Sequence, residues 1–125
     1  VWATVALLVA LLPAMVGAQA PAAGSAPSAP RQAVLQGLDK VTARVSTFTA
    51  EIGRPVRFGT LEITLRLCHN RPPDETPESA AFLVVGELRA NAEPRPVFSG
   101  WMFASSPALS ALEHPVYDVW IKECR

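Results

Sequence analysis

Residues Leu61–Cys68, LEITLRLC, decide the fold. Leu61, Ile63, Leu65 and Leu67 alternate with Glu62, Thr64, Arg66 and Cys68, and successive strand side chains point to opposite faces. One face is therefore apolar and the other partly wet, the pattern of an antiparallel sheet with a single buried side.

Upstream, Val56-Arg57-Phe58 and Gly59 lead into this strand, and Gly53-Arg54-Pro55 makes the turn before it. Arg44–Ile52 carries Val45, Thr47, Phe48, Thr49 and Ile52, rich in β-formers with an alternation that slips, as at a bulge. Ala33–Leu38 is a further short apolar run. Downstream, Asn70–Ser79 holds Pro72, Pro73 and Pro77 among charged residues, the composition of an exposed loop. Ala80–Leu88 is nearly continuous apolar sequence and reads as a central strand, and Ala90–Pro96 reads as a turn bounded by Pro94 and Pro96.

Val97, Ser99, Trp101 and Phe103 then fall on one side of an extended segment, with Phe98 and Met102 on the other. Ser105-Ser106-Pro107 has the form of a helix start and His114-Pro115 that of a stop, so a short helical turn is expected near 106–112. Val116–Glu123 returns as a strand with Tyr117, Val119 and Ile121 on one face and Asp118, Trp120 and Lys122 on the other. The class expected is all-β: a small antiparallel β-sandwich or partly open barrel of about six to seven strands.

Residues 1–16 are almost wholly apolar and end at Val16-Gly17-Ala18, small residues that a signal peptidase accepts, so residues 1–18 are expected to be a secretory signal. Pro13 breaks the run and it is shorter than the roughly 20 residues of a membrane span, so no span is expected in the mature chain. Val1-Trp2 stands where a signal would open on Met and a basic residue, so the leader is expected to start upstream or at an alternative codon. No cysteine lies near the cleavage point, which argues against a lipid-modified N-terminus. Residues 19–31, rich in Ala and Pro, form an expected flexible tether, and residues 32–125 a single β domain. All charged residues lie from Arg31 onward with net charge zero, which gives no electrostatic attraction for nucleic acid or an anionic membrane.

Two cysteines, Cys68 and Cys124, in a chain with an export signal are expected to form a disulfide that ties the last strand to the middle of the sheet. Cys68-His69 suggests a metal, but neighbours on a strand face opposite ways and His114 is the other histidine, so no metal spacing and no cofactor is implied. Ser105 or Ser106 with His114 and Asp118 supplies the residue types of a hydrolase triad, without a Gly-x-Ser-x-Gly elbow and with helix capping as the plainer role for the serines. Asp74 and Glu75 read as solvated loop charges. Phe98, Trp101, Phe103, Tyr117 and Trp120 are the candidate partner-binding residues, because aromatic faces supply contact area at low entropic cost; the competing reading places them in the core.

The runs LQGLDKVTARVSTF, VRFGTLEITLRLC, PPDETPESAAF and VFSGWMFASSPALSALEHPVYDVW, closing at Cys124, resemble the alphaproteobacterial family known as domain of unknown function 2155. The resemblance covers Leu35–Cys124. It implies an exported single-domain envelope protein with no assigned activity and no catalytic residues to carry over. The function expected is that of a non-catalytic periplasmic domain that binds a periplasmic or outer-membrane protein or a cell-wall component. The hydrolase built on Ser105 or Ser106, His114 and Asp118 is its alternative.

Overall fold

The computed structural model describes residue 6, residues 9–15, residue 17, residues 29–108, residue 112 and residues 114–125. Seven strands form there: β1 (Gln32–Asp39), β2 (Arg44–Glu51), β3 (Val56–Phe58), β4 (Leu61–Asn70), β5 (Ser79–Arg89), β6 (Ala92–Phe103) and β7 (Tyr117–Cys124). They make a three-stranded sheet, order β2-β1-β7, and a four-stranded sheet, order β3-β4-β5-β6, antiparallel throughout. The two sheets do not close into a barrel, so the architecture is a sandwich.

The local chemistry explains the connections. At the β1–β2 tip, Asp39 Oδ1 accepts the N–H groups of Val41 and Thr42, and Ala43 takes a positive φ of 59°. At the crossing from one sheet to the other, the Gly53 N–H donates to Leu65 O at 2.9 Å. Between the sheets, Leu35, Val119 and Ile121 meet Leu61, Ile63, Leu65, Leu83 and Val85, each no more than 1% exposed. Leu112, from the β6–β7 connection, joins them at 1% exposed. Burial of side chains of this size stabilises by about 1.5–3 kcal/mol each, as an upper bound.

Two one-residue bulges correct the simple alternation. Leu65 pairs with Leu83 but Leu67 pairs with Phe82, so Arg66 is an extra residue on β4. Leu67 therefore does not join the core face as its spacing suggests; it is 55% exposed, and Cys68 turns inward instead. On β7, Ile121 pairs with Leu35 and Glu123 with Val34, so Lys122 is extra and Cys124 likewise turns inward. The cysteines meet as a disulfide with Cα atoms 5.8 Å apart, inside the usual span for such a bridge. Around it, the Ser79 hydroxyl donates to Asn70 Oδ1 at 2.6 Å and accepts the Cys124 N–H at 3.0 Å. Asn70 Nδ2 donates to Cys124 O at 2.9 Å, completing the clasp.

A second correction concerns Pro94 and Pro96, which lie within β6 and not in a turn. β6 is an edge strand, where a missing N–H can face away from the sheet without breaking its ladder. The helical turn expected near 106–112 falls largely outside the described residues; those described from 104 to 108 form turns, with no helical residue. The leader and tether expected over residues 1–31 also lie mostly outside them.

Candidate functional site

The alternation of β5 builds one face of the site. Ala81, Leu83 and Val85 are buried between the sheets, which leaves Ala80, Phe82 and Val84 on the outer face. Register then lines up Leu67 of β4, Phe82 of β5 and Trp101 of β6 as one cross-strand row, with Ala80 and Phe103 as the next pair. The Phe82 and Trp101 rings meet edge to face with centroids 5.5 Å apart. Leu67, Trp101 and Phe103 are 55%, 39% and 38% exposed, while Arg66 and His69 stand exposed beside the row. This is an apolar patch on a sheet face that would ordinarily carry polar residues.

The five aromatic residues singled out from sequence do not share one surface. Trp101 and Phe103 lie on this outer face. Phe98, opposite Val85, packs against the core. Tyr117 also faces inward, edge-on to Phe58 at 5.3 Å, and Phe58 in turn stacks on Phe48 at 5.4 Å. Trp120 lies on the outer face of the other sheet, where its Nε1–H donates to Gln36 Oε1 and Gln36 Nε2 donates to Thr47 Oγ1, both at 3.2 Å. Leu67 and Phe82 complete the patch and were not singled out. The signal for Phe82 was its alternation against Ala81 and Leu83, whereas Leu67 needed knowledge of the bulge.

The residues of the candidate triad are each engaged elsewhere. The Ser105 hydroxyl and N–H donate to the two carboxylate oxygens of Glu78, and Ser106 N–H donates to Phe103 O. Those contacts, the hydroxyl first, hold the Glu78 carboxyl below its ordinary range. Asp118 accepts from Lys40 Nζ at 2.9 Å. His114, with its side chain 8% exposed, places Nε2 at 2.8 Å from Glu87 Oε2. Its Nδ1 accepts the N–H groups of Val116 and Tyr117 at 3.0 and 3.3 Å, an assignment that puts the proton of the neutral ring on Nε2, as donor to Glu87.

Glu87 was not foreseen as a partner for His114. Burial pushes its carboxyl up, but hydrogen bonds from Thr60 and His114 outweigh this and hold it below the ordinary range, aided by the charge of Arg95. Two residues after buried Val85, Glu87 falls on the inward side of β5, where a carboxylate requires partners; that parity was the available signal. The arrangement caps the start of β7 and brings neither serine to the ring. Its chemistry is structural.

Residues 33–124 match a family described as "Uncharacterized protein conserved in bacteria (DUF2155)". The chain belongs to this family. An "Uncharacterized protein RP359" of Rickettsia prowazekii (strain Madrid E) is 30% identical over 87 residues, 70% of this chain and 56% of that protein, so the chain spans little more than half of its relative's length. No solved structure matches. The DUF2155 match starts at the second residue of β1 and ends on Cys124, so it spans all seven strands of this chain and both cysteines of its disulfide. The exposed row of Leu67, Phe82 and Trp101 lies within it.

Proposed function

We propose that this domain is a non-catalytic, exported component of the bacterial cell envelope. It holds a periplasmic or outer-membrane protein, or a cell-wall component, against the outer face of its four-stranded sheet. The observation that carries this reading is the continuous row Leu67–Phe82–Trp101 with Phe103 beside it, large side chains presented to solvent by three adjacent strands. Aromatic anchors of this kind dominate the energetics of protein recognition. Export is supported by the signal-like composition of residues 1–18 and by a disulfide suited to an oxidising compartment. Val9, Leu11, Leu12 and Met15 are 72–96% exposed and add nothing to the core, as expected of residues removed on export.

A photoreactive amino acid at Trp101 or Phe103 in living cells tests the reading. It should capture a discrete envelope partner that the same probe at Lys122, on the other sheet, does not. Equal capture from both positions, or none from either, removes the sheet face as the binding surface. Export has its own measurement: the periplasmic fraction should contain a chain that begins at Gln19 by mass spectrometry, and its retention in the cytoplasm with the leader intact would overturn that part.

A further inference from the structure

The outer side of β4 changes character along its length. Alternate positions there are Leu67, His69 and Arg71, because the ladder continues one step past the strand, with Arg71 N–H donating to Glu78 O at 3.1 Å. The cross-strand row of His69 runs through Ala80 to Phe103, so the apolar face reaches as far as His69. Beyond it a cleft of about 510 Å³ opens at the end of β4, lined by Pro30, Pro72 and Pro73 together with His69, Arg71 and Arg125. His69 thus borders both the apolar face and the cleft.

The cleft is one-sided in charge. Among the described residues no Asp or Glu lines it, although Asp74 and Glu75 belong to the same loop. Glu78, whose carboxylate feels the charge of Arg71, is itself taken up by Ser105 and by the Ser79 N–H. The Arg125 main-chain oxygen accepts the N–H groups of Arg31 and Gln32. Arg71 Nη1 donates to Thr76 O at 3.4 Å and Arg125 Nη1 lies 3.8 Å from Glu123 Oε1, long contacts that leave each guanidinium most of its donors. The walls offer few other partners, since proline has no N–H and the Asn70 amide is committed to Cys124 and Ser79. The amides of a bound peptide would go unpaired against such walls, whereas an aliphatic chain needs no partner.

We propose that this end of the sandwich holds a lipid anion, a carboxylate or phosphate head on an aliphatic chain. The head pairs with Arg71 and Arg125 in the cleft, with His69 as a further donor, and the chain runs back over Leu67 and Phe103. From Arg71 to Leu67 the strand spans about 13 Å, the reach of a medium-length acyl chain. Two observations select this occupant. Guanidinium donors with no carboxylate lining the same cleft call for an anion, and their fork matches carboxylate and phosphate oxygens. Exposed Leu67 and Phe103 adjoin those donors through His69, so the ligand that satisfies both is charged at one end and apolar along the rest.

The test is calorimetric titration of the purified chain with dodecanoate below its micellar concentration, joined to proton–nitrogen correlation spectra. Saturable binding is expected, with shifts centred on Leu67, His69, Arg71, Phe103 and Arg125. Dodecyl phosphate should bind as well; dodecyltrimethylammonium and acetate should not, since the first lacks the anionic head and the second the chain. Each methylene removed should weaken binding roughly twofold, half the effect of full burial because the chain lies on an open face. Arg71→Glu and Arg125→Glu, both at exposed positions, should each weaken binding about tenfold with an unchanged circular dichroism spectrum. Absence of saturable binding, equal affinity for dodecyltrimethylammonium, or indifference to both arginine variants overturns the proposal. So does binding to phosphatidylglycerol vesicles without binding of monomeric dodecanoate, which would make the face a membrane-surface contact. The assay needs no envelope partner, so it succeeds or fails independently of capture at Trp101.

Discussion

Replacing both cysteines, Cys68→Ser with Cys124→Ser, removes the covalent tie between β4 and β7 without leaving a lone thiol. The two residues are 56 apart in sequence, and in the chain-entropy model a loop of that length restricts the unfolded chain by about 4 kcal/mol at 25 °C. A domain of this size has a net stability of about 5–14 kcal/mol, so the bridge decides how much margin remains. The native corner does not fall apart without it, because Asn70, Ser79 and the Cys124 backbone still clasp one another and β7 still pairs with β1. The double variant should therefore fold, with a melting temperature lower by about 15–30 °C. Urea titration followed by tryptophan fluorescence gives the sharper reading. The midpoint should fall and the m-value should rise, since the untied unfolded chain exposes more surface. Wild-type protein under reductant should trace the same curve. A loss below about 1 kcal/mol with an unchanged m-value would refute the argument that restriction of the unfolded chain is what the bridge contributes.

Gly37→Ala should cost about 1–3 kcal/mol by urea titration, because its new Cβ would lie 2.5 Å from the ring of half-buried Phe58, which is held between Phe48 and Tyr117; a neutral result would show that Phe58 can move aside. Met102→Lys, at a position 2% exposed, should prevent folding, whereas Leu67→Lys should leave the circular dichroism spectrum intact while abolishing partner capture. The Glu87 carboxyl is held below its ordinary range, so its contribution is present above the ordinary glutamate pKa and is lost as pH falls through the folded value. Between about pH 5 and 3 the urea midpoint of the wild type should drop, and Glu87→Gln should flatten that slope; identical slopes would place the acid sensitivity elsewhere, with Glu78 the first alternative.

Much of the fold was legible because strands declare themselves locally. The short apolar run at Ala33–Leu38 and the period-two runs at Leu61–Cys68 and Tyr117–Ile121 each became part of a strand, and Leu61, Ile63 and Leu65 face the core as their alternation requires, up to the bulge at Arg66. What the period could not disclose was where it breaks. For the aromatic set, alternation separated Phe98 and Met102 from Trp101 and Phe103 correctly, but only the pairing of β6 on β5 determined which pair faces the core. The pairing of His114 with Glu87 was hidden for a related reason: 27 residues separate them, and the contact exists only because the β6–β7 connection returns over the end of β5.

The bulge at Arg66 shows how a local pattern is overruled. Leu61, Ile63, Leu65 and Leu67 keep a perfect alternation, and with no other demand on β4 a regular strand would bury all four. Such a strand would point Cys68 outward, and without the matching bulge at Lys122 the last strand would do the same with Cys124. Exposing about half of Leu67 costs about 1 kcal/mol, whereas the disulfide made possible by the shift contributes about 4 kcal/mol, so the irregular strand wins by a clear margin. The consequence reaches the candidate site. The residue that turns Cys68 toward Cys124 also turns Leu67 outward beside Phe82 and Trp101, so the chain presents its apolar row as a direct result of closing its covalent link. The disulfide and the exposed face are thus coupled through Arg66, with the bulge at Lys122 turning the partner cysteine to meet Cys68.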